Sequence, residues 1–354
     1  MNKTGKKIFI NGNEAIAEAA IIAGCRFYAG YPITPQNQIP EYMSWRMPEA
    51  GGVFIQAESE LAAINMVFGA SLTGTRAMTS SSSPGISLKQ EGISYMAGCE
   101  LPGVIVNMQR GGPGLGNIQG SQADYFQATK GGGHGDYRMP VLAPSTIPEA
   151  IEHVMTAFDL ADMYRTPVML LSDGILGQMM EAVEFPVYKS KKKLPEKDWI
   201  LDGAKNRKPR SVFSLMMQNP TILEKHNYKL AEKYKKMETE VIHETYLAED
   251  AEILVCAYGI MGRICRGAID MARKEGVKAG LFRPVTVWPF ASEVVSKLGK
   301  KAKKVLVVEL NLGQMVEDIR LAVEDNKKIS FFGKPGGAVA TKEEIFAKIK
   351  ELIK

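Results

Sequence analysis

Gln56-Ala57-Glu58-Ser59-Glu60-Leu61-Ala62-Ala63-Ile64-Asn65-Met66 begins where the apolar run Val53-Phe54-Ile55 gives way to small and aliphatic residues. A short apolar run bounded by polar residues reads as a strand, and the uncharged stretch from Leu61 to Ala70 reads as a helix, predicted to be buried. The junction therefore sets an acidic side chain at the carboxyl edge of a sheet, where α/β folds hold their ligands. A carboxylate shielded there from bulk water suits a group that must protonate or hydrogen-bond a bound heterocycle. It equally suits a plain helix start, where the dipole favours an acidic residue. The segment alone leaves both readings open.

The neighbouring segments narrow the choice. Tyr31-Pro32-Ile33-Thr34-Pro35 follows the strand-like Arg26-Phe27-Tyr28-Ala29, and Arg76-Ala77-Met78-Thr79 leads into Ser80-Ser81-Ser82-Ser83-Pro84-Gly85. Val104-Ile105-Val106-Asn107-Met108 ends in Gln109-Arg110 and the loop Gly111-Gly112-Pro113-Gly114-Leu115-Gly116. Four strand ends thus deliver Thr34, Glu60, the serine run and Arg110. This succession resembles the pyrimidine-binding α subunit of the 2-oxoacid:ferredoxin oxidoreductases, which are thiamine-diphosphate enzymes. The likeness runs from Gly12-Asn13-Glu14-Ala15 through Asp173-Gly174 and resumes weakly from Glu252 to Gly313. It is strongest toward the 2-oxoisovalerate (branched-chain) and 2-oxoglutarate members.

The resemblance implies an α/β chain in three parts. A parallel-sheet domain of the thiamine-diphosphate pyrimidine type spans 1–185, a basic linker or subunit-contact segment spans 186–245, and a smaller transketolase C-terminal-like α/β domain spans 246–354. In such proteins that last unit usually packs rather than catalyses. Matched backwards from Gly69-Ala70, Glu60 rather than Glu58 falls on the family glutamate that faces the cofactor's ring nitrogen. Thr34 falls on the threonine of the Tyr-Pro-Ile-Thr-Pro motif, so Tyr31, Pro32, Ile33, Thr34, Glu60 and Ser83 form the expected cofactor contacts. Arg110 falls on the arginine that meets the 2-oxoacid carboxylate, a planar pairing suited to guanidinium. Glu60, Arg110 and Thr34 are then the catalytic set. A buried glutamate keeps a high proton affinity; the cofactor stabilises the carbanion while the protein orients and tunes.

One departure from thiamine enzymes shapes the expected assembly. They bind the diphosphate through a metal held by a Gly-Asp-Gly start and a later asparagine, whereas Ser172-Asp173-Gly174 lacks the first glycine and the downstream asparagine. No metal site is therefore expected in this chain. The magnesium and diphosphate contacts fall to a thiamine-diphosphate β subunit, and the chain alone is expected to be inactive. A γ subunit, a ferredoxin-like cluster subunit and ferredoxin itself complete the expected partners. The implied reaction is CoA-dependent oxidative decarboxylation of a 2-oxoacid to acyl-CoA and CO2.

Composition agrees. The 354 residues, 45% hydrophobic and 23% charged, suffice for two ordinary cores. No run of eighteen apolar residues occurs, and Met1-Asn2-Lys3-Thr4-Gly5-Lys6-Lys7 lacks the apolar core of a signal peptide, so a cytoplasmic, non-membrane protein is expected. The net charge of +5 comes largely from Lys189 to Lys193, Lys205 to Arg210 and Lys225 to Lys236. Only Tyr228 and Tyr234 interleave there, so the tract reads as a solvated linker or a partner-subunit surface, not a nucleic-acid site. Cys25, Cys99, Cys256 and Cys265 are too scattered for an iron–sulfur cluster or a disulfide framework, which places the clusters on other subunits. The histidines show no metal-ligand spacing. The loops Gly111–Gly116 and Lys130–Asp136 lack a dinucleotide or P-loop context, and His134 reads as a loop hydrogen bond before a general base.

The first 185 residues alternate strand and helix patterns, with a helix predicted over Ile147–Met163. Further along, helices are predicted over Leu223–Glu240 and Met261–Lys274, and strands over Ile253–Tyr258, Ala279–Arg283 and Lys304–Glu309. Ser80 to Ser83 and Ile86 are expected to line a small substrate pocket. No second arginine is placed for a distal carboxylate, which favours 2-oxoisovalerate over 2-oxoglutarate. Three alternatives carry their own marks. A structural Arg110 would pair with Glu100 or Asp124; a non-catalytic assembly subunit would not need Glu60, Thr34 and Arg110 together; and another thiamine-enzyme half would need no ferredoxin.

Overall fold

A computed structural model describes residues 7–190, 192–215 and 219–353. The readings made on Met1 to Lys6 and on Lys191 lie outside the described residues. The larger sheet has seven strands in the order Thr286–Trp288, Val141–Leu142, Pro167–Asp173, Gly103–Gln109, Ala77–Ser81, Phe27–Gly30 and Val53–Gln56. All pairings are parallel except that of Thr286–Trp288 with Val141–Leu142. Strands buried on both faces read as continuous apolar runs, and every residue of Gly103–Gln109 and Pro167–Asp173 is buried.

Side chains alternate across a strand, and here they feed two separate cores. Val104 and Val106 join Val168, Leu170 and the helices Gly12–Ile22 and Ile147–Tyr164 on one face. Ile105 joins Met169, Leu171 and the helices Glu60–Leu72 and Ser83–Gly98 on the other. The helix Glu60–Leu72 departs from the expected full burial. Ala63, Ile64, Val67 and Ser71 face the core, while Leu61 is 47% exposed. The reason is positional: the strand that leads into it, Val53–Gln56, is the edge of the sheet, so no neighbouring layer covers the outer face.

The second sheet runs Ile329–Gly333, Lys304–Glu309, Ile253–Cys256, Ala279–Pro284, His243–Tyr246, parallel except for its last pairing. Its helix Gly259–Lys274 buries Ile260, Met261, Cys265, Ala268, Ile269 and Ala272, roughly one side at helical spacing. All four cysteines are buried and free. The basic segment is strapped to the first domain. The helix Pro220–Met237 places the His226 ring 2.7 Å from the Gly98 carbonyl, and Lys229 and Lys233 both pair with Glu100. Among the described residues no helix is long and apolar enough to cross a membrane.

Candidate active site

Parallel register lines up the strand ends. Gly30 sits beside Gln56, Ser81 beside Asn107, and Gln109 beside Asp173, so the loops that follow share one edge of the sheet. Ser59 caps the helix behind the edge strand: its backbone is extended and its hydroxyl accepts from the Ala62 N–H at 3.2 Å. That cap turns the chain so that Glu60, the first helical residue, points inward and is only 5% exposed, whereas Glu58 remains exposed. The Glu60 carboxylate lies against Gly85, where any larger side chain would collide with it and with the Ser81 hydroxyl. Among the described residues, no hydrogen bond or ion pair engages that carboxylate. The buried hydroxyls of Ser81 and Ser82 are also unpartnered.

Arg110 follows the strand Gly103–Gln109 and is 6% exposed. Its Nη1 donates to the Thr34 carbonyl at 2.9 Å and its Nη2 to the Leu115 carbonyl at 2.8 Å, while its backbone N–H donates to Ser83 Oγ at 3.0 Å. Thr34, Ser83 and Arg110 are therefore brought together. Nε is buried without a partner. Neither structural pairing forms: Glu100 takes Lys229 and Lys233, and Asp124 accepts from Ser83 Oγ at 2.6 Å and Asn107 Nδ2 at 2.9 Å. Burial lowers the proton affinity of the guanidinium, and the charge of Glu60 opposes that. The result is a cation held in place by carbonyls and not neutralised by a touching carboxylate.

Two clefts open along this edge. A 350 Å³ cavity is lined by Ser83, Arg110 and Asp124 together with Asn311, Leu312 and Gln314 of the second domain. That unit, read from the sequence as a packing module, thus reaches the site. A 580 Å³ cleft lies beyond Thr34, lined by Gln38, Ile118 and Gln178 among others. The glycine loop is braced across the domains, since Asn117 Nδ2 donates to the Gly336 carbonyl. Gly114 and Gly116 take φ of 65° and 62°, a region that favours glycine.

Other expected residues fall elsewhere. Ser80 is buried, bonded to Tyr28 and Gln36, and Ile86 is core, so the pocket wall is Ser83, Pro84 and Ser87 instead. Tyr31 and Pro32 are exposed and Ile33 is half-buried. His134 is exposed on a separate 290 Å³ cavity. Asp173 caps the short helix Gly174–Gln178, accepting from the N–H groups of Ile175 and Leu176, and burial pushes its carboxyl up to about 6. The structure adds Lys89, Asn107, Asp124 and Asn311 to the neighbourhood. Asn107 stood in plain view at the end of an apolar strand; Lys89, beside Gln90 and Glu91, reads in sequence as a solvated face.

The geometry fits a heterocycle and a carboxylate: an unpartnered buried acid, a fixed guanidinium with an idle Nε, and two idle hydroxyls at one strand edge. Comparison with known proteins gives the same class. Residues 18–245 match the pyruvate flavodoxin/ferredoxin oxidoreductase, thiamine diphosphate-binding domain model, and residues 251–345 match the pyruvate:ferredoxin oxidoreductase core domain II model. The chain is 46% identical to the ketoisovalerate oxidoreductase subunit VorB of Methanothermobacter marburgensis, over 97% of each chain. It is 37% identical to the 2-oxoglutarate synthase subunit KorA of the same organism, over 97% of this chain and 98% of that one. Among solved structures, a 2-oxoglutarate:ferredoxin oxidoreductase from Magnetococcus marinus, with 2-oxoglutarate, coenzyme A and succinyl-CoA bound, superposes with a TM-score of 0.87 at 27% identity. That alignment covers 99% of this chain and 66% of that one. A split-gene transketolase, at TM-score 0.61 and 15% identity over 97% and 98% of the chains, shares the fold.

Proposed function

The chain belongs to the pyruvate flavodoxin/ferredoxin oxidoreductase family, and from that premise we propose that it is the pyrimidine-binding α subunit of a CoA-dependent 2-oxoacid:ferredoxin oxidoreductase that prefers a branched-chain acid such as 2-oxoisovalerate. The observation that carries the reading is Glu60, buried at the start of its helix with its carboxylate unengaged and a glycine kept open beside it. Thiamine diphosphate, when bound, supplies the carbanion chemistry. Glu60 then holds a proton against the pyrimidine ring nitrogen, and the idle hydroxyls of Ser81 and Ser82 stand as further polar contacts. Arg110 binds the 2-oxoacid carboxylate through its Nε edge, where Nε is unpartnered and the Nη1 and Nη2 groups each give only one of their two N–H donors to the carbonyls of Thr34 and Leu115. Thr34 fixes that guanidinium and borders the neighbouring cleft.

The branched-chain preference rests on the cavity and the relatives. Arg110 is the one cation among the residues lining the 350 Å³ cavity, and Leu312, 82% exposed, lines the same space. A dicarboxylic acid would need a second cation there. The 46% identity to the ketoisovalerate subunit against 37% to the 2-oxoglutarate subunit points the same way. Partner subunits supply the magnesium and diphosphate contacts and the iron–sulfur clusters: a thiamine-diphosphate β subunit, a γ subunit and a cluster subunit that passes electrons to ferredoxin.

Purified with those partners, the complex is expected to lose its iron–sulfur absorbance on addition of 2-oxoisovalerate and CoA. The kcat/KM for that acid should exceed that for 2-oxoglutarate. A one-group difference in an apolar pocket is worth only about 1–3 kcal/mol, so some turnover of other apolar 2-oxoacids is expected. A complex without thiamine diphosphate or cluster absorbance overturns the activity; a preference for 2-oxoglutarate overturns the substrate assignment alone.

A further inference from the structure

Lys89 is fully buried on the helix Ser83–Gly98. Lysine is almost never fully buried without a paired charge, yet the one hydrogen bond its ammonium makes among the described residues is to the Glu60 backbone carbonyl, at 3.2 Å. An ammonium carries three donors, so most of its capacity is unspent. Its placement is specific. Gly85 and Lys89 are four residues apart on one helix face, and Gly92, three residues on, packs against Ile64. That face presents a gap for the Glu60 carboxylate at Gly85, a cation for the Glu60 backbone at Lys89, and a flat contact for the following turn at Gly92.

We infer that Lys89 is a positioning residue for Glu60, holding the first turn of the helix Glu60–Leu72 against Gly85 and supplying the counter-charge behind its carboxylate. The inference rests on the role proposed for Glu60. Two cations then bracket the acid, Lys89 from behind and Arg110 from the adjacent strand end, and both couple to it electrostatically. The strand between them, Ala77–Ser81, contributes only uncharged groups. Burial lowers the lysine to about 8, and its interaction with Glu60 opposes part of that fall. A buried charge with so little pairing is a cost to the fold, which is the mark of a residue kept for function.

Lys89→Met in the assembled complex separates the two roles. Removal of an underpaired buried charge should leave Tm unchanged or higher. The kcat should nevertheless fall roughly tenfold as the acid loses its fixed placement, with KM for the 2-oxoacid unchanged because Arg110 is untouched. The circular-dichroism band of the bound cofactor's iminopyrimidine form should weaken in parallel. Lys89→Gln, which keeps a donor for the Glu60 carbonyl but no charge, should fall between Met and wild type. Normal kcat and a normal band in both variants overturn the inference, as does a lowered Tm that alone accounts for the lost activity. If Glu60→Gln is inactive while the Lys89 variants are normal, only the inference fails; if Glu60→Gln is fully active, the role assigned to Glu60 fails and the inference falls with it.

Discussion

Two glutamates mark the ends of parallel strands in the two halves of this molecule, and their surroundings are opposite. Glu309 ends the strand Lys304–Glu309, is 0% exposed, and receives the Asn311 amide at 2.8 Å with the N–H groups of Met315 and Val316 at 2.8 and 3.0 Å. It satisfies the orphan donors at the start of the helix Met315–Ala322. Glu60, 5% exposed at the corresponding kind of junction, leaves its cap to Ser59, and among the described residues its own carboxylate accepts no hydrogen bond. A buried acid saturated by backbone donors is part of the fold. One that is buried, unengaged and left room by a glycine is poised for something that binds, since burial without partners is costly unless function repays it.

The largest test of this contrast exchanges the same atom in both places. Glu60→Gln should leave Tm within a few degrees of wild type while lowering turnover by roughly 10²–10⁴-fold, the range for a lost acid–base group. Glu309→Gln should do the reverse, keeping kcat at low temperature while losing about 1.5–3 kcal/mol of stability as charged hydrogen bonds are weakened. A stability loss at Glu60 or an isolated activity loss at Glu309 breaks the comparison. If Glu58→Gln proves inactive in place of Glu60→Gln, the exposed neighbour carries the chemistry.

A smaller effect is expected at Arg110. Lysine keeps the charge but at most one of the two carbonyl contacts, and it has no planar edge to offer a carboxylate. Arg110→Lys should raise KM for the 2-oxoacid by roughly tenfold to a hundredfold, for about 1.5–3 kcal/mol of charged hydrogen bonding, with a minor change in Tm. An unchanged KM with a large drop in Tm would make Arg110 a brace for Thr34 and the glycine loop.

The seam between the halves gives the smallest test. His153 is buried on the helix Ile147–Tyr164, with Glu149 and Arg283 beside it, and burial pushes its imidazole down to about 4. The folded state therefore keeps it neutral while the unfolded chain, near 6.5, takes up the proton first. Stability from this group is fully present above about 6.5 and is lost as pH falls toward 4, by at most about 1.4 kcal/mol per pH unit. Tm measured from pH 7 to pH 4 should fall more steeply for wild type than for His153→Phe. Parallel curves would show that this histidine is not what loosens the seam in acid.

Much of the first half was legible because its information is local. An apolar strand, a turn and a helix start fall within ten residues at Glu60, and the motif residues Thr34, Ser83 and Arg110 each lie close behind the end of a strand. The choice of Glu60 over Glu58 is made in sequence by matching Gly69-Ala70; in the fold Glu60 is buried and Glu58 exposed, a difference that the Glu58→Gln comparison tests. What escaped depended on distant partners. The outer face of the helix Glu60–Leu72 is bare because its strand is at the sheet edge, and strand order is not written in a single segment. Lys89 lies in a polar stretch, and the carbonyl that meets its ammonium belongs to Glu60, twenty-nine residues earlier in the chain. Leu312 and Asn311 reach the cavity across a domain boundary, with no periodicity to announce it.

The strand Thr286–Trp288 closes the free edge at Val141–Leu142, so the polypeptide leaves the first sheet, builds part of the second, and returns to finish the first. On a ribosome adding about 5–20 residues per second, the stretch between those two pairing partners takes on the order of ten seconds to be made. Through that interval the two-residue edge Val141–Leu142 stands without its partner, and its shortness is what limits wrong pairing with another chain. The first sheet is therefore finished only after part of the second has been made, and a chain cut short before Thr286 would leave Val141–Leu142 as an unpaired edge.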